Sequence, residues 1–158
     1  MQKEKIKKNK GFVLLYVVMI SSIILVVTLS VGDISFKEIK FGTSAKDTND
    51  AFFSADTGAE CALYNDRSDI NAFVEGGASV FCLDRSINLK GDSSDWYFTL
   101  SGLGNESKGC AIVKVHKENF VEPITTTIIS KGYNDGGIIE DVCDQGPNTV
   151  ERQLELNY

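Results

Sequence analysis

Histidine is nearly absent from this chain: His116 is the only one among 158 residues. A Ser-His-Asp or Cys-His nucleophile needs an imidazole or another base beside it, and zinc sites draw on histidines and closely spaced cysteines. The sequence also has no CxxC pair, no Gly-x-x-x-x-Gly-Lys phosphate cradle and no dinucleotide fingerprint. These lacks leave an exported enzyme without catalytic groups and call for no cofactor and no metal. His116 stands between Val115 and Lys117 at the end of an expected strand and reads as a surface histidine. Internal repeats and low-complexity linkers are missing as well.

Charge is missing where it is most informative. Residues 11–31, GFVLLYVVMISSIILVVTLSV, contain no Asp, Glu, Lys, Arg or His. Residues 1–10 hold five lysines (Lys3, Lys5, Lys7, Lys8, Lys10) against Glu4 alone. Residues 32–158 hold eleven basic and 21 acidic side chains. This acidic body lacks the basic face that phosphate binding needs, which argues against nucleic acid as the main partner. With 24% charged and 42% hydrophobic residues the chain is not disordered by composition, and its length suits one folded domain.

As a helix the apolar run measures about 31 Å at roughly 1.5 Å per residue, matching the ~30 Å hydrocarbon core of a bilayer. An open-ended segment satisfies its backbone in lipid only as a helix. Ser21, Ser22, Thr28 and Ser30 interrupt it mildly, because short hydroxyls bond back to helical carbonyls. The lysines put the N-terminus in the cytoplasm and residues 32–158 outside it. The expectation is a single-pass protein of the cytoplasmic membrane. Three readings of the segment stay open. One is a cleaved secretory signal, with Ser30-Val31-Gly32 as a poor cleavage site. Another is a plain signal anchor. The third rests on the junction, where Lys8-Asn9-Lys10-Gly11 is followed at once by Phe12.

That junction resembles the class III signal of type IV prepilins, in which a lysine-rich leader ends in glycine and the next residue, usually phenylalanine, becomes a methylated N-terminus. The resemblance implies processing between Gly11 and Phe12 by a prepilin peptidase. It also implies an assembly helix bearing Phe12, Val13, Leu14, Leu15, Tyr16, Val17, Ile20 and Ile24, packed against other pilin subunits in a filament. Tyr16 occupies the fifth position after the cut, where most major pilins carry a glutamate. Among relatives this substitution goes with minor pilins and pseudopilins that sit at tips or start assembly. Residues 51–60, AFFSADTGAE, resemble the alanine-, acid- and glycine-containing stretch of minor pilins at this distance from the signal.

Beyond Val31 the pattern becomes one-sided. Ile34, Phe41, Ala45, Thr48, Phe52, Ala55, Ala59 and Ala62 recur mostly at helical steps, with Lys37, Lys40, Lys46, Asp50 and Asp56 between them. The spacing predicts a helix ending near Asn65-Asp66, about 80 Å long if continuous from Phe12. Gly42 and Gly58 read as bends, close packing or tolerated glycines. From residue 78 the period is two, which predicts antiparallel strands at 78–83, 95–101, 110–116, 124–131 and 149–157, with 117–123 closing a hairpin. The expected fold is α+β and pilin-like: a long N-terminal helix, half membrane-spanning and half amphipathic, packed on an antiparallel sheet of four to five strands. The expected organisation is a leader at 1–11, a membrane half at 12–31, an amphipathic half at 32–66 and a head at 67–158.

Cys61, Cys82, Cys110 and Cys143 all fall on the exported side, where two disulfides are expected. A hairpin turn centred near Phe120 places Cys110 opposite Lys131, at the end from which the 133–148 loop leaves. That favours Cys110–Cys143 and leaves Cys61–Cys82. The same loop is acidic, with Asn134, Asp135, Glu140, Asp141 and Asp144, but its spacing misses the EF-hand pattern and reads as solvated. Asn105-Glu106-Ser107 fits a glycosylation sequon and is discounted, because the signal points to a prokaryote. The expected function is structural, a minor pilin or pseudopilin at a bacterial cell surface. It would be stored in the membrane and then incorporated into a type IV pilus or a related secretion or DNA-uptake filament. The alternative is a signal-anchored extracytoplasmic binding module that joins no filament.

Overall fold

The computed structural model describes residues 10–68, 71–104, 106–118, 125–139 and 142–158. The expectations for the leader before Lys10, for Asn105, for the turn at 119–123 and for Glu140 and Asp141 lie outside these residues. The fold is α+β, as the two periodicities predict. Helix α1 spans Lys10–Arg67. Among the described residues nine strands follow: β1 Ser79–Cys82, β2 Arg85–Asn88, β3 Lys90–Asp92, β4 Asp95–Leu103, β5 Gly109–Glu118, β6 Thr125–Tyr133, β7 Ile138–Ile139, β8 Val142–Cys143 and β9 Glu151–Asn157. The chain divides into two compact units at Thr43/Ser44.

In the unit ending at Thr43, every side chain from Phe12 onward is exposed. The unit beginning at Ser44 holds the rest of α1 and all the strands. An antiparallel sheet in the order β3-β4-β5-β6-β9 forms its centre, flanked by the hairpins β1-β2 and β7-β8. The expected strand at 78–83 therefore belongs to a separate hairpin, and β3 takes its place at the edge of the sheet. The sequence around β2, β3, β7 and β8 gave no strand signal, because stretches of two to four residues are too short for alternation to register. The hairpin register also differs from expectation. Cys110 pairs with Tyr133 rather than with Lys131, and Lys131 pairs with Ile112.

Alternation places Trp96, Phe98 and Leu100 of β4 on one face with Ala111, Val113 and Val115 of β5 and Ile128 and Ser130 of β6, all buried. This face is graded in size. At its bulky end Phe73 fills the space, 6.0 Å from Trp96 and 6.3 Å from Phe98 between ring centroids. Its small end receives the helix. There Ala51, Ser54, Ala55, Gly58, Ala59, Ala62 and Asn65 are buried at steps of three and four. Ala55, Ala59 and Ala62 of the expected stripe are buried, but Ala51 is buried where Phe52 is 43% exposed, and Ile34, Phe41 and Ala45 are exposed. Large residues do not fit this seam, because backbone meets backbone. A Cβ on Gly132 would run into the backbone of Ala51 and Ala55, and one on Gly58 would come 2.5 Å from Ser130 Oγ.

Two polar clusters fasten the helix end. Asn65 is fully buried and pairs with Phe81 of β1 as a neighbouring strand would. Phe81 N–H donates to Asn65 Oδ1 at 3.0 Å, and Asn65 Nδ2 donates to Phe81 O at 3.1 Å. Asp66 accepts from Tyr158 Oη at 2.7 Å and lies 2.5 Å from Lys117 Nζ, while the Arg67 guanidinium sits 4.4 Å from the Tyr158 ring centroid. The turn between β1 and β2 is unusual. Leu83 and Asp84 form it with φ of 52° and 58°, a pattern that Asn-Gly normally supplies. Each such L-residue costs about 1–2 kcal/mol.

Candidate functional site: an uncovered apolar helix

The residues expected to carry assembly lie together on the first half of α1. Phe12, Val13, Leu14, Leu15, Tyr16, Val17, Ile20 and Ile24 are all exposed, from 40% at Ile20 to 76% at Phe12. Gly11 lies within the first helical residues, directly before Phe12. Among the described residues of the unit ending at Thr43, none covers this surface. An apolar patch of this extent is stable only under lipid or against other apolar helices. The helix is long and apolar enough to cross a membrane.

Its polar residues are prepared for such surroundings. Ser21 Oγ donates to the Val18 carbonyl at 3.0 Å, Ser22 to Met19 at 2.8 Å, Thr28 to Leu25 at 2.9 Å and Ser30 to Val26 at 2.9 Å. These four Ser and Thr hydroxyls are thus satisfied within the helix, and their cost in hydrocarbon is small. The first charge after the run is Asp33, followed by Lys37, Glu38 and Lys40.

Each half-cystine expected from the sequence has a partner. Cys61 is bonded to Cys82, linking α1 to β1, with Cα atoms 5.8 Å apart. Cys110 is bonded to Cys143, linking β5 to β8, with Cα atoms 5.9 Å apart. The second bridge lies on the sheet face opposite Ala111, where it packs with Tyr133. Burial first, and then the adjacent Glu151 carboxylate, push the Tyr133 phenol up to about 12. Burial likewise raises the Tyr158 phenol, reinforced by the Asp66 carboxylate.

His116 is half-buried rather than fully solvated, and it belongs to a small ionic cluster. Its Nδ1 is 3.1 Å from Asp95 Oδ1, Ser94 Oγ donates to Asp95 Oδ2 at 3.0 Å, and Lys114 Nζ is 3.0 Å from Asp95 Oδ1. Lys114 first, with Ser94 and His116, holds the Asp95 carboxyl below the ordinary carboxylate range. The carboxylate stands between hydroxyl and imidazole. Activation of a serine requires the imidazole in the middle, so His116 cannot take the Ser94 proton in this order. In the acidic loop, Asn134 Oδ1 accepts from Val150 N–H at 2.7 Å and is committed to the backbone. Among the described residues no group of three His, Cys, Asp or Glu side chains converges as a metal site would require.

Asn65 and Asp66 escaped the sequence reading. Their only signal was a pair of polar residues where the alanine stripe ends, which reads equally well as a helix stop. Compared with protein-family models, curated proteins and solved structures, the chain has no match.

Proposed function

We propose that this chain is a structural subunit of a type IV pilin-like filament, a minor pilin or pseudopilin, and that it catalyses no reaction. The observation that carries the reading is the Lys10-Gly11-Phe12 junction in the first turn of an uncovered apolar helix. A plain anchor has no use for a glycine there. In this reading the lysine-rich leader holds the N-terminus in the cytoplasm, and a prepilin peptidase cuts after Gly11. The helix from Phe12 then waits in the bilayer, with the disulfide-bonded head outside. Assembly exchanges lipid for the helices of other pilin subunits around the same apolar surface, so little hydrophobic burial is lost in the transfer. Tyr16, in place of the usual acid, fits a subunit that initiates or tips a filament, because it brings no carboxylate to a neighbour's terminal amine.

A charge on the helix tests this. Val17→Asp or Ile24→Lys should still permit membrane insertion, since one charge costs about 2.5–3.5 kcal/mol against a long apolar run. Either should abolish incorporation into filaments sheared from the cell surface. Undiminished incorporation of the inserted variants would contradict the proposal.

A further inference from the structure

Among the described residues, Lys117 and Asp66 form the most buried ion pair, with side chains 13% and 7% exposed. They bring the end of β5 against the last turn of α1. Lys117 Nζ stands 2.5 Å from Asp66 Oδ1, 3.4 Å from Asn71 Oδ1 and 6.0 Å from the Trp96 ring centroid. Asp66 Oδ1 accepts no hydrogen bond among the described residues. Asp66 Oδ2 accepts from Tyr158 Oη at 2.7 Å. Burial first, and then the Asp66 carboxylate, make that phenol harder to ionise, so it stays a donor. A buried ion pair seldom recovers the cost of taking both charges out of water. Moving one proton from Nζ to Oδ1 turns this one into a neutral amine touching a neutral carboxylic acid. Well-oriented groups in contact react as though at about 10⁵–10⁸ M.

We propose that Lys117 and Asp66 condense to an isopeptide bond inside the folded head, with Tyr158 holding the oxygen on which charge develops. The Nζ lone pair attacks Asp66 Cγ, and the negative charge that builds on Oδ2 is met by the Tyr158 hydroxyl. Nζ then gives a second proton to Oδ1, the Cγ–Oδ1 bond breaks, and Oδ1 leaves as water. The amide keeps Oδ2 as its oxygen and one hydrogen on its nitrogen. The balance needs no oxidant and no co-reactant, and the step occurs once per chain. Lys117 lines a groove of about 390 Å³ with Asn71, Phe73 and Trp96, through which the water departs. The bond supplies a tie that the disulfides do not. Cys61–Cys82 joins α1 to the β1-β2 hairpin, and Cys110–Cys143 joins β5 to β8. Asp66–Lys117 joins α1 to the five-stranded sheet itself.

Tryptic peptide mapping of the full chain, purified from membranes and then reduced and alkylated, tests this. The expected product is residues 47–67 joined to residues 115–131, uncut at Lys117 and lighter by one water than the two peptides together. Tyr158→Phe should slow the appearance of the joined peptide about a hundredfold after a labelling pulse, the worth of one hydrogen bond to a developing oxyanion. Separate peptides cut at Lys117 in the wild-type chain would overturn the proposal. So would a water lost at another residue, or an unchanged rate in Tyr158→Phe.

Discussion

Gly132 and Gly58 face each other's elements across the seam between helix and sheet, yet a methyl group added at each meets different obstacles. At Gly132 it strikes the backbone of Ala51 and Ala55, which cannot turn aside. At Gly58 it meets Ser130 Oγ and Val113 Cγ2, the ends of side chains that can rotate, and it gains about 1 kcal/mol of helix propensity. Gly132→Ala should therefore destabilise the head by about 2–3 kcal/mol, and Gly58→Ala by clearly less. Denaturant unfolding of the two variants checks the order, and equal losses would contradict the close-packed seam. The sequence hinted at the seam through its alanines. It did not reveal that Gly132 and Gly109 provide the other side, because a glycine at a strand end reads as a turn signal until register is known. Phe52 misled for a related reason: at this spacing an aromatic looks like core, but the sheet comes too close to admit one.

Each long element was legible from its period. The helix ends at Arg67, one to two residues past the expected Asn65-Asp66, and the alternation of Trp96, Phe98 and Leu100 against Tyr97 and Thr99 matches the burial of β4. What stayed hidden were the short strands β2, β3, β7 and β8, and with them the hairpin in which the expected 78–83 strand is paired. These are held by tertiary partners, Asn65 and the Cys61–Cys82 bridge, rather than by any local propensity. The two bridges span sequence separations of 21 and 33 residues. On loop entropy each should stabilise the head by about 3–4 kcal/mol. Cys110→Ser with Cys143→Ser should lower stability by that amount while α1 and the β1-β2 hairpin remain. Alkylation of the unreduced, denatured wild-type protein should modify no thiol; modification of all four cysteines would contradict both pairs.

For the molecule as a whole, solution conditions act on the head through its buried phenols. Tyr133 and Tyr158 are both harder to ionise in the folded head than in an unfolded chain, whose phenols titrate near 10.0. A raised folded value contributes stability that is fully present below the unfolded value and is lost as pH rises through the folded one. The stability these phenols contribute should therefore be constant up to about pH 10 and be lost progressively toward pH 12. Tyr133→Phe should flatten part of that decline in alkaline denaturation followed by circular dichroism. An unchanged pH profile in the variant would contradict the assignment to Tyr133.

Processing of the chain turns on residues 11 and 12. Mass spectrometry of the N-terminal peptide from protein isolated from its native host addresses it directly. The account predicts a chain beginning at Phe12, with its amine methylated, and no trace of the lysine-rich leader. An intact N-terminus would contradict it in favour of a simple anchor, and a chain beginning near Asp33 would show the apolar helix to be a discarded signal.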